Sequence, residues 1–318
     1  MAEGSTKVVV AALAGNLAIA VTKFVASALT GSAAMFSEAI HSVVDSGNQV
    51  LLLYGIRRSR RPATAEHPFG FGREVYFWSF VVAVLLFGLG AGVSLYDGWL
   101  ALKNPRPVET PWVNFGVLGF ATLFEGGSWW VAFKEFRRTT QGVPLLSAVR
   151  RSKNPSIFVV LLEDTAALVG LLLAAAGLVA GEITGNPVFD AWASLAIGVV
   201  LAVVAALLAY ESKGLLIGEA ADRRVVEGIR RIVGEERRVK RTIDVLTMHM
   251  GPDDVLLNMS AEFQDELTAD EVEDTVAALE TRIRAQFPQV RRIFVEAEAM
   301  RLRRAAGAAP AMPQAHAG

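Results

Sequence analysis

Residues 37–48 read Ser37-Glu38-Ala39-Ile40-His41-Ser42-Val43-Val44-Asp45-Ser46-Gly47-Asn48, and the run lies inside a long apolar segment. An ionisable side chain at membrane depth costs roughly 3 kcal/mol or more unless it is paired, solvated or bound to something. His41 and Asp45 are four residues apart, so a helix sets them on one face, one turn from each other. An imidazole and carboxylates meeting inside a helical bundle suit a divalent transition metal. A lone histidine in an apolar helix is more often a satisfied core residue. The accompanying Asp45 moves the reading toward a ligand pair.

The surrounding composition decides the class. The 318 residues are 53% hydrophobic and only 20% charged, with a mean hydropathy of +0.39, which describes an integral membrane protein. The charged residues fall mainly in loops and in the C-terminal third. A net charge of −1 carries little information, but zero cysteines exclude disulfides and thiolate metal sites. Ligands must come from His, Asp, Glu, Asn or backbone. Met1–Lys7 lacks the features of a cleavable signal, so the first apolar segment is expected to be retained.

Six segments are long enough to cross about 30 Å of hydrocarbon: 7–29, 33–56, 75–101, 112–134, 156–180 and 188–212. Arg57, Arg58, Arg60, Arg61 and Arg73 follow the second, and Lys134, Arg137, Arg138, Arg150, Arg151 and Lys153 follow the fourth. The opposite loops hold Lys103 and Arg106. The bias predicts cytoplasmic termini. Trp99 and Trp112 suit the outer interface; Tyr76, Trp78, Trp129 and Trp130 suit the inner one. From about residue 220 a charged amphipathic stretch, two strands (243–250 and 255–263), a helix from Thr268 and a short strand at 292–295 follow. Gly251-Pro252-Asp253-Asp254 is the turn between the strands. The αββαβ order predicts a two-layer α+β unit, ferredoxin-like, with both helices on one sheet face. The expected division is 1–214 membrane domain, 215–302 cytoplasmic domain and 303–318 disordered tail.

The fifth segment carries Glu163-Asp164-Thr165. Adjacent carboxylates point about 100° apart on a helix, so both cannot face one ion equally well. Asp164 is the ligand candidate; Glu163 is a further ligand, an acceptor behind the ligands, a proton carrier or an interhelical hydrogen-bonding group. Glu125, mid-way along the fourth segment, is a protonated structural acid or part of a proton path. Glu38 faces a water-filled entrance or belongs to the outer interface, and is the second candidate for a proton path. Lys23 and Asn16 are expected to snorkel or to bond backbone carbonyls, and Asp97 and Asp190 to lie near the outer ends, where their cost is low. No HExxH, GxSxG or kinase-type set is present, so no enzyme is expected.

Together, the six segments, the His41–Asp45 run, the His67-Pro68-Phe69-Gly70-Phe71-Gly72 run and the αββαβ unit resemble the cation diffusion facilitator family. Asn154-Pro155 with Leu161-Leu162-Glu163-Asp164-Thr165-Ala166-Ala167 looks like the branch containing the ninth human zinc transporter. The resemblance implies a homodimeric antiporter exchanging a divalent transition metal, usually zinc, for protons, without a cofactor or a nucleic-acid partner. It implies two ligand pairs, one on span two and one on span five. His41 and Asp45 fill the first; Asp164 fills half of the second, whose other position falls on Val160, which cannot coordinate. Glu163, water or Asn48 would complete the set. Phe71 stands where many members have a histidine, and His249 is the only histidine of the C-terminal domain, with Val295 at a ligand-like position, so that domain is expected to dimerise without a binuclear metal site. The expected activity is zinc export from the cytoplasm of a bacterial inner membrane. Rivals are manganese or iron(II) transport on the same scaffold, and a non-transporting membrane protein acting through its C-terminal domain.

Overall fold

A computed structural model describes residues 2–105, 108, 110–139 and 152–298. The predicted tail 303–318, together with Arg106, Arg150 and Arg151, lies outside the described residues. The chain divides into two compact units, 1–216 and 217–318.

The first unit is helical. Helix α1 runs Ala2–Thr30 and α2 Ala33–Ser59. Helices α3 (Glu74–Leu85) and α4 (Gly92–Lys103) are joined without a break by a π-helical turn, Leu86–Ala91. Then come α5 (Pro111–Thr139), α6 (Pro155–Thr184) and α7 (Val188–Ile217). Pro155 opens α6, where its missing N–H costs nothing, and Gly185 ends it in the left-handed conformation at φ +65°. Among the described residues, four stretches are long and apolar enough to cross a membrane by length and composition: 13–30, 74–103, 155–184 and 188–217.

The other two predicted spans, α2 and α5, are as long but less apolar. In α2 the reason is visible. Ser37, Glu38, His41, Ser42, Asp45, Asn48 and Gln49 are all buried, while Val43, Val50 and Tyr54 are exposed. This polar-inside, apolar-outside pattern is the reverse of a water-soluble amphipathic helix. The outward face of α1 is likewise apolar, with Leu17, Val21, Val25 and Leu29 exposed at four-residue spacing. Small residues let α4 and α7 approach closely: a Cβ on Gly98 would lie 2.9 Å from the Leu195 backbone nitrogen, and one on Gly198 would lie 3.0 Å from that of Leu95.

The second unit consists of α8 (Arg223–Gly234), β1 (Val239–Gly251), β2 (Asp254–Phe263), α9 (Ala269–Gln286) and β3 (Val290–Ala297). The sheet order is β1-β2-β3; β1 and β2 pair antiparallel, with Val245 opposite Met259, and β3 joins β2 in parallel, with Ile293 opposite Leu257. The alternating Val255, Leu257, Met259 and Ala261 of β2 are fully buried. Val255, Leu257 and Met259 share a core with Val225, Ile229 and Val233 of α8 and Leu279 and Ile283 of α9. The predicted stripe on α9 holds only in its second half: Val272 and Val276 are half-buried, and Thr275 takes the inward position. Thr268 opens α9 with a complete capping box, its hydroxyl accepting from the Glu271 N–H and the Glu271 carboxylate accepting from the Thr268 N–H.

Candidate metal centre

α2 brings most of the polar side chains to the centre of the first unit. It starts after a two-residue turn, Gly31-Ser32, and that turn is pinned from α7. The Asp190 carboxylate accepts from the Ser32 hydroxyl at 2.7 Å and from the backbone N–H groups of Ala33 (2.7 Å) and Ala34 (3.3 Å). Ser32 in turn accepts from the Met35 N–H. A carboxylate at a helix N-terminus meets both unsatisfied donors and the positive end of the helix dipole. Asp190 is 6% exposed, so it is a built-in cap rather than an acid placed where water makes it cheap. Beside it lies a cavity of about 400 Å³ lined by Ser27, Phe36, Asp97, Asn104 and Asp190.

Two turns further along α2, His41 Nδ1 lies 3.4 Å from Asp45 Oδ1. Both side chains are fully buried, and neither the ring nitrogens nor the carboxylate oxygens have a hydrogen-bond partner. From α6, Glu163 accepts from the Asn48 amide at 2.7 Å, and from the same helix Asp164 accepts from Ser128 of α5 at 2.8 Å. Each keeps one oxygen unpartnered, as Asn48 keeps its carbonyl. Glu125 of α5 is 1% exposed with both oxygens unpartnered. Glu163, Glu125 and Asp164 all act electrostatically on Asp45. Even so, among the described residues no three His, Asp or Glu side chains converge closely enough to hold one ion. The pair His41–Asp45 is formed; Glu163 and Asp164 are each engaged in a hydrogen bond of their own, to Asn48 and Ser128. Val160 is buried on α6 and offers no donor.

Four placements differ from what the sequence suggests. Lys23 does not snorkel: it is fully buried, donating to Glu38 Oε2 at 2.8 Å and to Ser42 Oγ at 2.9 Å. Asn16 is also buried, and its amide nitrogen has no partner. Glu38 is therefore neither at an entrance nor at an interface but in an interior ion pair. Tyr76, expected at the inner interface, is fully buried. Trp99 and Trp112 are exposed. In the loop before α3, His67 stacks against Phe71 with ring centres 4.5 Å apart, and Gly70 turns the chain at φ +77°. His249 is buried in the second unit, its ring near the Gly251 carbonyl at 3.3 Å.

A family profile described as the cation efflux transmembrane domain matches residues 9–217. The chain is 36% identical over 263 residues to the mitochondrial proton-coupled zinc antiporter of Mus musculus, covering 82% of this chain and 46% of the relative; the Homo sapiens protein gives the same figures. It is 31% identical over 265 residues to metal tolerance protein C4 of Arabidopsis thaliana, covering 83% of this chain and 58% of the relative. The chain thus spans about half the length of these curated relatives. It is 23% identical over 293 residues to the magnetosome protein MamB of a Magnetospira strain, covering 90% and 92% of the two chains.

Proposed function

The chain belongs to the cation efflux (cation diffusion facilitator) family, and from that premise we propose that it exchanges a divalent transition metal, zinc foremost, for protons across a membrane. The observation that carries this reading is the set of orphaned polar atoms around α2. His41, Asp45, Glu163 and Asp164 are all buried, and each retains at least one atom without a hydrogen-bond partner. The great majority of buried polar groups are paired, so a group of exceptions on two neighbouring helices is what a transient cationic guest would use. His41, Asp45, Asp164 and Glu163 are the proposed ligands, and Glu125 and Glu38 the proposed proton path.

In this reading the arrangement described above is one end of a cycle. Cargo binding draws Asp164 from Ser128 and Glu163 from Asn48 toward the His41–Asp45 pair, so movement of α6 against α2 accompanies capture. The metal needs a neutral imidazole and ionised carboxylates, so it competes with protons for the same atoms. Protons arriving from the opposite side then release it, and export from the cytoplasm follows when the proton gradient points inward. α2 and α5 complete six membrane crossings, both chain ends lie in the cytoplasm of an inner membrane, and residues 1–214 form the membrane domain. The unit at 215–302 serves as a ferredoxin-like dimerisation module, with 303–318 as a tail. The donor set holds one imidazole against three carboxylates, which also favours manganese or iron(II) as cargo.

Flux into proteoliposomes under an imposed pH gradient tests the proposal, with zinc, manganese and iron(II) compared. Gradient-coupled flux lost in both Asp45→Ala and Asp164→Ala supports it. Unchanged flux in those variants would show the site to be misplaced, and no flux from folded wild type would sink the transporter reading.

A further inference from the structure

Lys23 is the only buried lysine or arginine among the described residues. Its flexible four-carbon stem would ordinarily carry the ammonium toward water. Here it turns inward to Glu38 and to Ser42, the residue after His41. The pair is closed from α6: a Cβ on Gly170 would fall on Glu38 Oε1, so the missing side chain makes the space this carboxylate occupies. Burying an ion pair seldom stabilises a fold more than apolar groups of the same shape would. A clamp alone is therefore a poor account of its presence. The charge of Lys23 has a second reach, acting on His41, Asp45 and Glu125 as well as on Glu38. Three buried carboxylates, Glu38, Asp45 and Glu125, thus share this one fixed positive charge, and two more, Glu163 and Asp164, are buried in the same unit.

We propose that Lys23 is a resident counter-cation of the transport site, a tethered charge that offsets the carboxylates between cargoes and opposes the incoming metal. It touches no cargo. By weakening binding it keeps release fast, so it sets both affinity and turnover. This inference rests on the transport reading above and adds a determinant of affinity to it.

The test uses the full chain in detergent for zinc binding by calorimetry at fixed pH, and in proteoliposomes for flux. Lys23→Met is expected to bind zinc at least about tenfold tighter, about 1.4 kcal/mol, with KM and kcat both falling. Lys23→Arg, which keeps the charge, should stay close to wild type. Should Lys23→Met fail to fold with Glu38 left unpaired, Lys23→Met/Glu38→Gln removes both charges and is expected to bind tighter as well. Any folded variant without a positive charge at residue 23 that binds no tighter overturns the proposal, as does a lowered melting temperature with unchanged affinity in such a variant, the mark of a clamp. Asp45→Ala separates the two levels. Wild-type zinc binding in Asp45→Ala would sink the site itself; binding lost there but unaltered without Lys23 would sink only the counter-cation.

Discussion

Replacing Asp190 by alanine should loosen the helix that carries His41 and Asp45, although Asp190 is itself far from both in sequence. The side chain accepts three hydrogen bonds at the start of α2, two at 2.7 Å and one at 3.3 Å. Hydrogen bonds to a charged group contribute about 1.5–3 kcal/mol each when buried. The adjoining cavity lets water replace part of them, and Ser32 still caps Met35. These offsets leave a net loss of roughly 2–4 kcal/mol, counted from the same bond strengths. In a unit of this size that lowers the melting temperature by roughly 5–12 °C. Asp190→Asn keeps one acceptor oxygen but loses the charge that favours the helix N-terminus, so it should fall between alanine and wild type. His41 lies seven residues beyond Ala34, about 10 Å along the helix, so zinc affinity should fall with stability. Thermal unfolding at fixed detergent and lipid, with calorimetric zinc binding on the same samples, reads both. Melting of Asp190→Ala within about 1 °C of wild type, with full zinc affinity, would refute the capping argument.

Gly170→Ala should cost about 1–3 kcal/mol by overpacking, and much less in a Glu38→Ala background; equal costs in the two backgrounds, measured by thermal melts, would separate Gly170 from Glu38. Gly98→Ala and Gly198→Ala should each lower the melting temperature, because the obstructing atom is backbone of the neighbouring helix and cannot swing aside. Thr268→Ala removes one side of the capping box and should cost about 1 kcal/mol of α9 stability, visible as faster hydrogen exchange over 269–286. The Thr268 N–H and hydroxyl hold the Glu271 carboxyl below its ordinary value. A lowered folded-state value stabilises above the unfolded one and is lost as pH falls through it, so protection of α9 should decline at acid pH in wild type and more weakly in Thr268→Ala.

Local features of the molecule were readable from residues alone. The Asn154-Pro155 start of α6, the Gly251–Asp254 turn and the period-two burial of Val255–Phe263 all follow from near-neighbour chemistry. The polar face of α2 follows from helical spacing, which is why His41 and Asp45 stood out. What depends on pairing across helices was not readable. Lys23 looked like a snorkelling lysine because its partner is fifteen residues away on a different helix. Asp190 looked like an inexpensive acid because the donors it satisfies are more than 150 residues earlier. The bonds of Glu163 to Asn48 and of Asp164 to Ser128 likewise join residues whose proximity no spacing rule announces. The one available hint was arithmetic: a buried cation in an apolar helix needs an anion, and Glu38 was at hand.

The π-helical turn at Leu86–Ala91 also gives the continuous α3–α4 helix an unusual tolerance of length change. A π turn holds one residue more than the α turn it replaces. Deleting a residue there would return the stretch to regular helix while leaving the faces of α3 and α4 in their present directions. The same deletion in unbroken α6 would swing everything beyond it by about 100°, taking Asp164 off its face if made upstream. Evolution can therefore edit the α3–α4 helix one residue at a time, whereas the helix bearing Glu163 and Asp164 is locked to its present count.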